Sequence, residues 1–158
     1  MNKIASFTVN HLKLLPGLYV SRIDKVKEEF VTTFDIRITQ PNVEPVMDNP
    51  ALHAIEHLGA TFLRNHQVYK DDIIYFGPMG CRTGCYLIVS GNKNSKDVYD
   101  LVKEMFEFIV NYEGKIPGAS AIECGNYLDL NLDMAKFYAK KYINEVLNNF
   151  TEERYNYQ

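Results

Sequence analysis

The stretch from Glu28 to Asn65 reads EEFVTTFDIRITQPNVEPVMDNPALHAIEHLGATFLRN, a strand followed by a stop, a cap and a helix. Between Glu28 and Thr39, the β-branched and aromatic residues Phe30, Val31, Thr32, Thr33, Phe34, Ile36 and Ile38 are interleaved with Asp35 and Arg37. That composition and partial alternation predict a strand. Gln40-Pro41-Asn42 ends it, and a loop runs through Pro45 to Asn49-Pro50. Asn49 is expected as the N-cap with Pro50 in the first helical position. From Ala51 to about Asn65, Leu52, Ile55, Leu58, Phe62 and Leu63 fall at helical spacing.

Downstream, Asp72–Phe76 and Cys85–Ser90 read as two further strands, joined antiparallel through the glycine-punctuated turn Gly77–Gly84. Ser95 is expected to cap a helix to about Tyr112, with Val98, Leu101, Val102, Met105, Ile109 and Tyr112 along one face. A last helix is expected over roughly Met134 to Asn149, after an irregular region from Gly114 to Tyr127. Grouped strands with helices laid against them predict an α+β fold: a single domain over 1–158, with an antiparallel sheet covered by helices on one face.

The chain has 158 residues, 46% hydrophobic and 23% charged, which suits one globular domain and leaves little room for disorder. A formal net charge of −3 with scattered Lys and Arg argues against nucleic-acid binding. No apolar run approaches the ~20 residues of a membrane span, and the N-terminus lacks a signal-peptide core. A cytoplasmic location and no membrane partner are therefore expected. Three cysteines, Cys81, Cys85 and Cys124, make a poor disulfide framework without an export signal.

The residues that carry chemistry begin with His53-Ala54-Ile55-Glu56-His57. On a helix, residues four apart share a face, so the two imidazoles can converge on one ion. Glu56 flanks that site, where a carboxylate can serve as general acid and base. The plain alternative is two surface histidines that happen to be four apart. A third ligand is needed, and a catalytic site keeps a fourth position open. His11, Cys81, Cys85 and Cys124 are all plausible donors, and spacing does not choose among them. The order His-x-x-Glu-His also matches inverted-motif metallopeptidases. Those enzymes use a distant acidic ligand and much larger chains, so a small peptidase is the weaker reading. A non-catalytic metal-binding module, its site closed by a fourth protein ligand, is the other.

Gly80-Cys81-Arg82-Thr83-Gly84 sets a cysteine among small residues and beside Arg82, whose guanidinium would favour the thiolate. Its alternative is a tight hairpin with an incidental thiol. Cys85, entering an apolar strand, reads as a buried core residue.

Five blocks occur in an order that resembles the S-ribosylhomocysteine lyase (LuxS) family, which makes the precursor of a bacterial quorum-sensing signal, autoinducer-2. They are Ser6–His11; Phe34-Asp35-Ile36-Arg37 with Gln40-Pro41-Asn42; His53–His57; Pro78–Gly84; and Glu123-Cys124-Gly125-Asn126-Tyr127. The resemblance spans nearly the whole chain. It implies a divalent metal on His53, His57 and Cys124, natively Fe2+, with Zn2+ or Co2+ able to substitute. It further implies that Glu56 and Cys81 transfer protons and that Ser6, His11 and Arg37 hold the substrate, S-ribosylhomocysteine. A homodimer with active sites at the interface is implied too, the Ser6–His11 segment serving the partner's metal site. The implied reaction moves a carbonyl along the ribose carbons through enediolates and ends in β-elimination of homocysteine, leaving 4,5-dihydroxy-2,3-pentanedione. Such steps suit a Lewis acid and two proton-transfer groups. The chain departs from the family pattern at Asn10, where an acid is common, at Ala54, where a hydroxyl is common, and at Cys85, usually aromatic.

Overall fold

The computed structural model describes Ile4 and residues 7–158. Four strands form one antiparallel sheet: β1 (Gly17–Val26), β2 (Glu29–Arg37), β3 (Ile73–Pro78) and β4 (Gly84–Ser90), in the order β1-β2-β4-β3. Three helices complete the fold: α1 (Asn49–Asn65), α2 (Tyr99–Asn111) and α3 (Leu132–Glu145). The α+β expectation is met. The register sets Phe34 of β2 opposite Val20 and Leu87, and Ile36 opposite Leu18 and Cys85. Leu18, Phe34, Ile36, Cys85 and Leu87 join Ile55, Leu58, Val102, Phe106 and Tyr142 of the helices in one buried core. Because side chains alternate across a strand, Thr33, Asp35 and Arg37 face the other side.

β1 was not expected from the sequence. Charged Arg22, Asp24 and Lys25 interrupt its apolar residues, and a register shift between Val20 and Arg22 breaks the alternation. Its pairing with β2 supplies what local pattern lacks.

The caps also differ from expectation. Asp48, not Asn49, caps α1: it is extended (φ −72°, ψ 155°) and its Oδ1 accepts from the Ala51 N–H at 2.7 Å. Ser95 caps nothing; Asn94 Oδ1 accepts from the Lys96 and Asp97 N–H groups, folding those residues into their own turn, and α2 starts at Tyr99. Asn131 caps α3, its Oδ1 accepting from the Met134 N–H at 3.0 Å, and the chain tightens into a 3₁₀ turn at Leu147–Asn149.

Gly59 and Gly84 leave no room for a side chain. A Cβ at Gly59 of α1 would collide with the Phe76 ring of β3, and one at Gly84 would collide with the Ile36 carbonyl oxygen. These close approaches seat α1 against the sheet and lock the start of β4 beside the end of β2.

Candidate metal centre and flanking thiol

His53 and His57 leave α1 on a half-buried side, next to the face that buries Leu52, Ile55 and Leu58. The loop between α2 and α3 folds over that side and is tied to the helix start by the Asn131 N–H donating to the Pro50 carbonyl at 3.0 Å. The loop supplies three things. The Asp129 carbonyl lies 2.8 Å from His53 Nδ1, the Pro117 carbonyl lies 2.7 Å from His57 Nδ1, and Cys124 Sγ lies 3.4 Å from His53 Nε2. With each Nδ1–H held by a carbonyl, each Nε2 presents its lone pair, the arrangement that orients metal-binding histidines. The Asn126 N–H approaches Cys124 Sγ at 3.4 Å, which suits a thiolate.

His53, His57 and Cys124 each offer one ligand atom, and these atoms lie within 4.8 Å of one another. Two imidazole nitrogens and a thiolate are ordinary donors for iron, cobalt or zinc, so the set fits a divalent transition metal. Among the described residues no fourth His, Cys, Asp or Glu joins the group. The third donor is a thiol rather than an acid, which takes away the peptidase reading's ligand set. Among the described residues no fourth protein donor closes the set, as one would in a purely structural site. Spacing left the third ligand open among His11, Cys81, Cys85 and Cys124; the loop brings only Cys124. Gly118 is essential to this geometry. It sits at φ +73°, and a Cβ there would lie 3.1 Å from His57 Nδ1.

Across a cleft of about 380 Å³ from His53 and Glu56 lies the β3–β4 turn. The cleft is lined by Leu52, His53, Glu56, Met79, Gly80 and Arg82, so it reaches both neighbours of Cys81. Cys81 itself is exposed. Arg82 takes a left-handed backbone (φ 60°) that turns the chain, and its carbonyl accepts from the Met47 N–H at 3.0 Å.

The guanidinium beside Cys81 belongs to Arg37, not to the sequence neighbour Arg82. Arg37 ends β2, is only 4% exposed, and donates Nη1 to Thr83 Oγ1 at 2.5 Å and toward Cys81 Sγ at 3.7 Å. Its Nη2 pairs with Asp35 Oδ2 at 2.6 Å. Thr83 Oγ1 lies 3.2 Å from the sulfur. Burial pushes the Cys81 thiol up, but hydrogen bonds from the Thr83 hydroxyl and backbone and the charge of Arg37 outweigh it. The thiol is held below its ordinary value. Cys85 behaves oppositely: fully buried in the core, its thiol is pushed far up, as expected of an inert hydrophobe.

His11 is half-buried, with Nδ1 3.0 Å from the Val9 carbonyl, and no described contact links it to the metal group. Ser6 lies outside the described residues. His66 Nδ1 accepts from the Val68 and Tyr69 N–H groups beyond the end of α1. Sequence reasoning missed Asp35 and Thr83, although each is two residues from a site residue and so on its face of a strand or turn. The two carbonyl acceptors carry no sequence signal.

Comparison with known proteins agrees with this geometry. The family model described as S-Ribosylhomocysteinase (LuxS) matches residues 4–153. A protein of Finegoldia magna named S-ribosylhomocysteine lyase is 65% identical over 153 residues, covering 97% of this chain and 96% of its own. Proteins of the same name from Clostridium beijerinckii and Borrelia garinii are 60% and 57% identical, covering 97% and 99% of the chain.

Proposed function

This chain belongs to the S-ribosylhomocysteinase (LuxS) family, and from that premise we propose that it cleaves the thioether of S-ribosylhomocysteine, releasing homocysteine and 4,5-dihydroxy-2,3-pentanedione. The observation that carries this reading is the cleft itself: His53 of the metal-binding group and the Glu56 carboxylate line one wall, and Gly80 and Arg82, on either side of the exposed Cys81, line the other. The metal would be ferrous iron natively, replaceable by zinc or cobalt.

His53, His57 and Cys124 would hold the ion, with room for a substrate oxygen as a further ligand. A divalent cation there supplies Lewis acidity, favouring negative charge on a substrate oxygen. The remaining work falls to the chain. Moving a carbonyl one carbon along a sugar takes a proton from the carbon beside it and returns one to the former carbonyl carbon. Cys81, its thiolate supported by Arg37 and Thr83, would take and return a proton. Glu56, which lines the cleft from α1, would divide that labour. Once the carbonyl stands two carbons from the sulfur-bearing carbon, removal of the intervening proton expels the homocysteine thiolate by breaking the C–S bond. Ser6, His11 and Arg37 would hold the ribose and homocysteine portions.

A second copy would complete the site. The outer sheet face carries Tyr75, Tyr86 and Ile88 with Ser21, Arg22 and Thr33 around a cleft of about 270 Å³ that Ile4 also lines, a partly apolar surface suited to another protomer. Through it, the segment around His11 would reach the partner's metal group.

The test is release of free thiol from S-ribosylhomocysteine by metal-loaded protein under anaerobic conditions. Turnover that disappears in Cys81→Ala and Glu56→Gln supports the reading. Intact protein with one metal per chain and no thiol release would overturn it.

A further inference from the structure

The end of the chain lies against the outer face of the sheet, behind the ion pair that supports Cys81. Arg154 Nη1 donates to the Pro16 carbonyl at 2.8 Å, and the Tyr19 hydroxyl donates to the Glu153 carbonyl at 3.0 Å. The Tyr157 ring then stacks on Tyr19, with centroids 4.6 Å apart and planes 12° from parallel. In the strand register Tyr19 is opposite Asp35, so this stack brings Tyr157 over the same face. Its hydroxyl donates to Asp35 Oδ2 at 2.9 Å, the oxygen that also receives Arg37 Nη2 at 2.6 Å. Asp35 Oδ1 is buried without a hydrogen-bond partner among the described residues. The buried carboxylate is therefore held by two side-chain donors, one of them next to the C-terminal residue.

We propose that Tyr157 is a positioning residue for Cys81: by donating to Asp35 it leaves the Arg37 guanidinium free to support the thiolate. The inference rests on the reading of Cys81 as a proton-transfer group, and Tyr157 acts through Asp35 and Arg37 without touching substrate. Arg37 is shared between an acid on one side and Thr83 and Cys81 on the other. A carboxylate short of donors draws the guanidinium toward itself and projects more negative potential onto a thiol just beyond it. The Tyr157 hydroxyl offsets part of that charge. Its removal should therefore raise the Cys81 pKa. The other groups around this cluster remain in place when only that hydroxyl is removed. They are Tyr86 on β4, Tyr19 on β1, Arg154 beside Tyr19, and Glu56 on α1, whose charge acts on Cys85. Ser21 on β1, which also hydrogen-bonds Tyr157, remains as well.

Tyr157→Phe keeps the stack on Tyr19 and removes only the donor. In full-length, zinc-loaded protein, the rate of Cys81 alkylation by iodoacetamide would be followed against pH by mass spectrometry of the Cys81 peptide. The pH profile of kcat/KM would be measured in parallel. The expected result is a Cys81 titration moved upward by roughly half a unit to one unit. That shift lowers kcat/KM about three- to tenfold on the acid limb, a gap that closes as pH rises. Tyr157→Ala, which also loses the stack, should shift the titration at least as far. An unchanged titration in both variants would overturn the proposal, as would an activity loss equal at every pH, which marks a purely structural role. Wild-type protein inert toward S-ribosylhomocysteine would instead remove the functional reading beneath it, a result distinct from unchanged alkylation.

Discussion

Cys81 and Cys124 are both thiols assigned to one site, yet they answer to different neighbours. Cys124 lies against His53 Nε2, whereas Cys81 lies against Thr83 and Arg37. Cys124→Ala should therefore lose the metal, read as metal per chain after dialysis, while Cys81→Ala keeps it. Turnover in Cys81→Ala should fall by at least 10²-fold, the usual contribution of a positioned acid-base group. Metal loss in Cys81→Ala would make that thiol structural. The pH dependence follows from the sign of the thiol's shift. A lowered pKa leaves Cys81 ionised at lower pH than an ordinary thiol, whose reference value is 9.0. Activity that needs the thiolate should thus rise with pH through a midpoint below that value. Arg37→Met removes the cation that holds it down, so the midpoint should move up. The same change leaves Asp35 buried without its ion-pair partner and should destabilise the fold by about 3 kcal/mol, measured by urea unfolding. At this scale the sequence was informative about residue types and blind to partners. Gly80-Cys81-Arg82 invited pairing the thiol with its neighbour, but side chains at adjacent positions diverge, and the effective cation comes from another strand.

At the scale of elements, α1 was legible because its information is periodic. Leu52, Ile55 and Leu58 fixed the buried face, and the four-residue spacing of His53 and His57 fixed a shared direction. The loop from α2 to α3 was not legible, because a carbonyl acceptor leaves no mark on residue identity. Only the family block singled out Cys124 there. β1 was missed for a related reason: its charged residues hide a strand stabilised by pairing with β2 rather than by its own alternation. The loop's one sequence clue is Gly118, whose left-handed backbone lies under His57. Gly118→Ala should push the Pro117 carbonyl away from His57 Nδ1 and release the imidazole from its orientation. Metal affinity should drop about 10- to 100-fold, as when other such supporting contacts are lost, with the fold retained. Competition with a chromophoric chelator reads the affinity and circular dichroism reads the fold; unchanged affinity would mean that the carbonyl does not orient His57.

The whole molecule presents two unlike sheet faces. The inner face disappears into the helices. The outer face is covered at one end by the C-terminal residues around Tyr157, while further along Tyr75 remains 45% exposed beside Tyr86 and Ile88. Exposed apolar side chains gathered on one face, rather than scattered, mark a surface awaiting cover. A two-fold axis through such a face brings the same patch of each copy together, which needs no second binding surface. Ile88→Glu sets two carboxylates against each other across that axis without touching the core or the metal group. The variant should sediment as a monomer and keep its metal, and it should lose turnover as the dimer is lost. Raising the protein concentration should restore both together. A variant that remains dimeric would place the interface elsewhere. A monomer with full turnover would mean that each chain completes its own site.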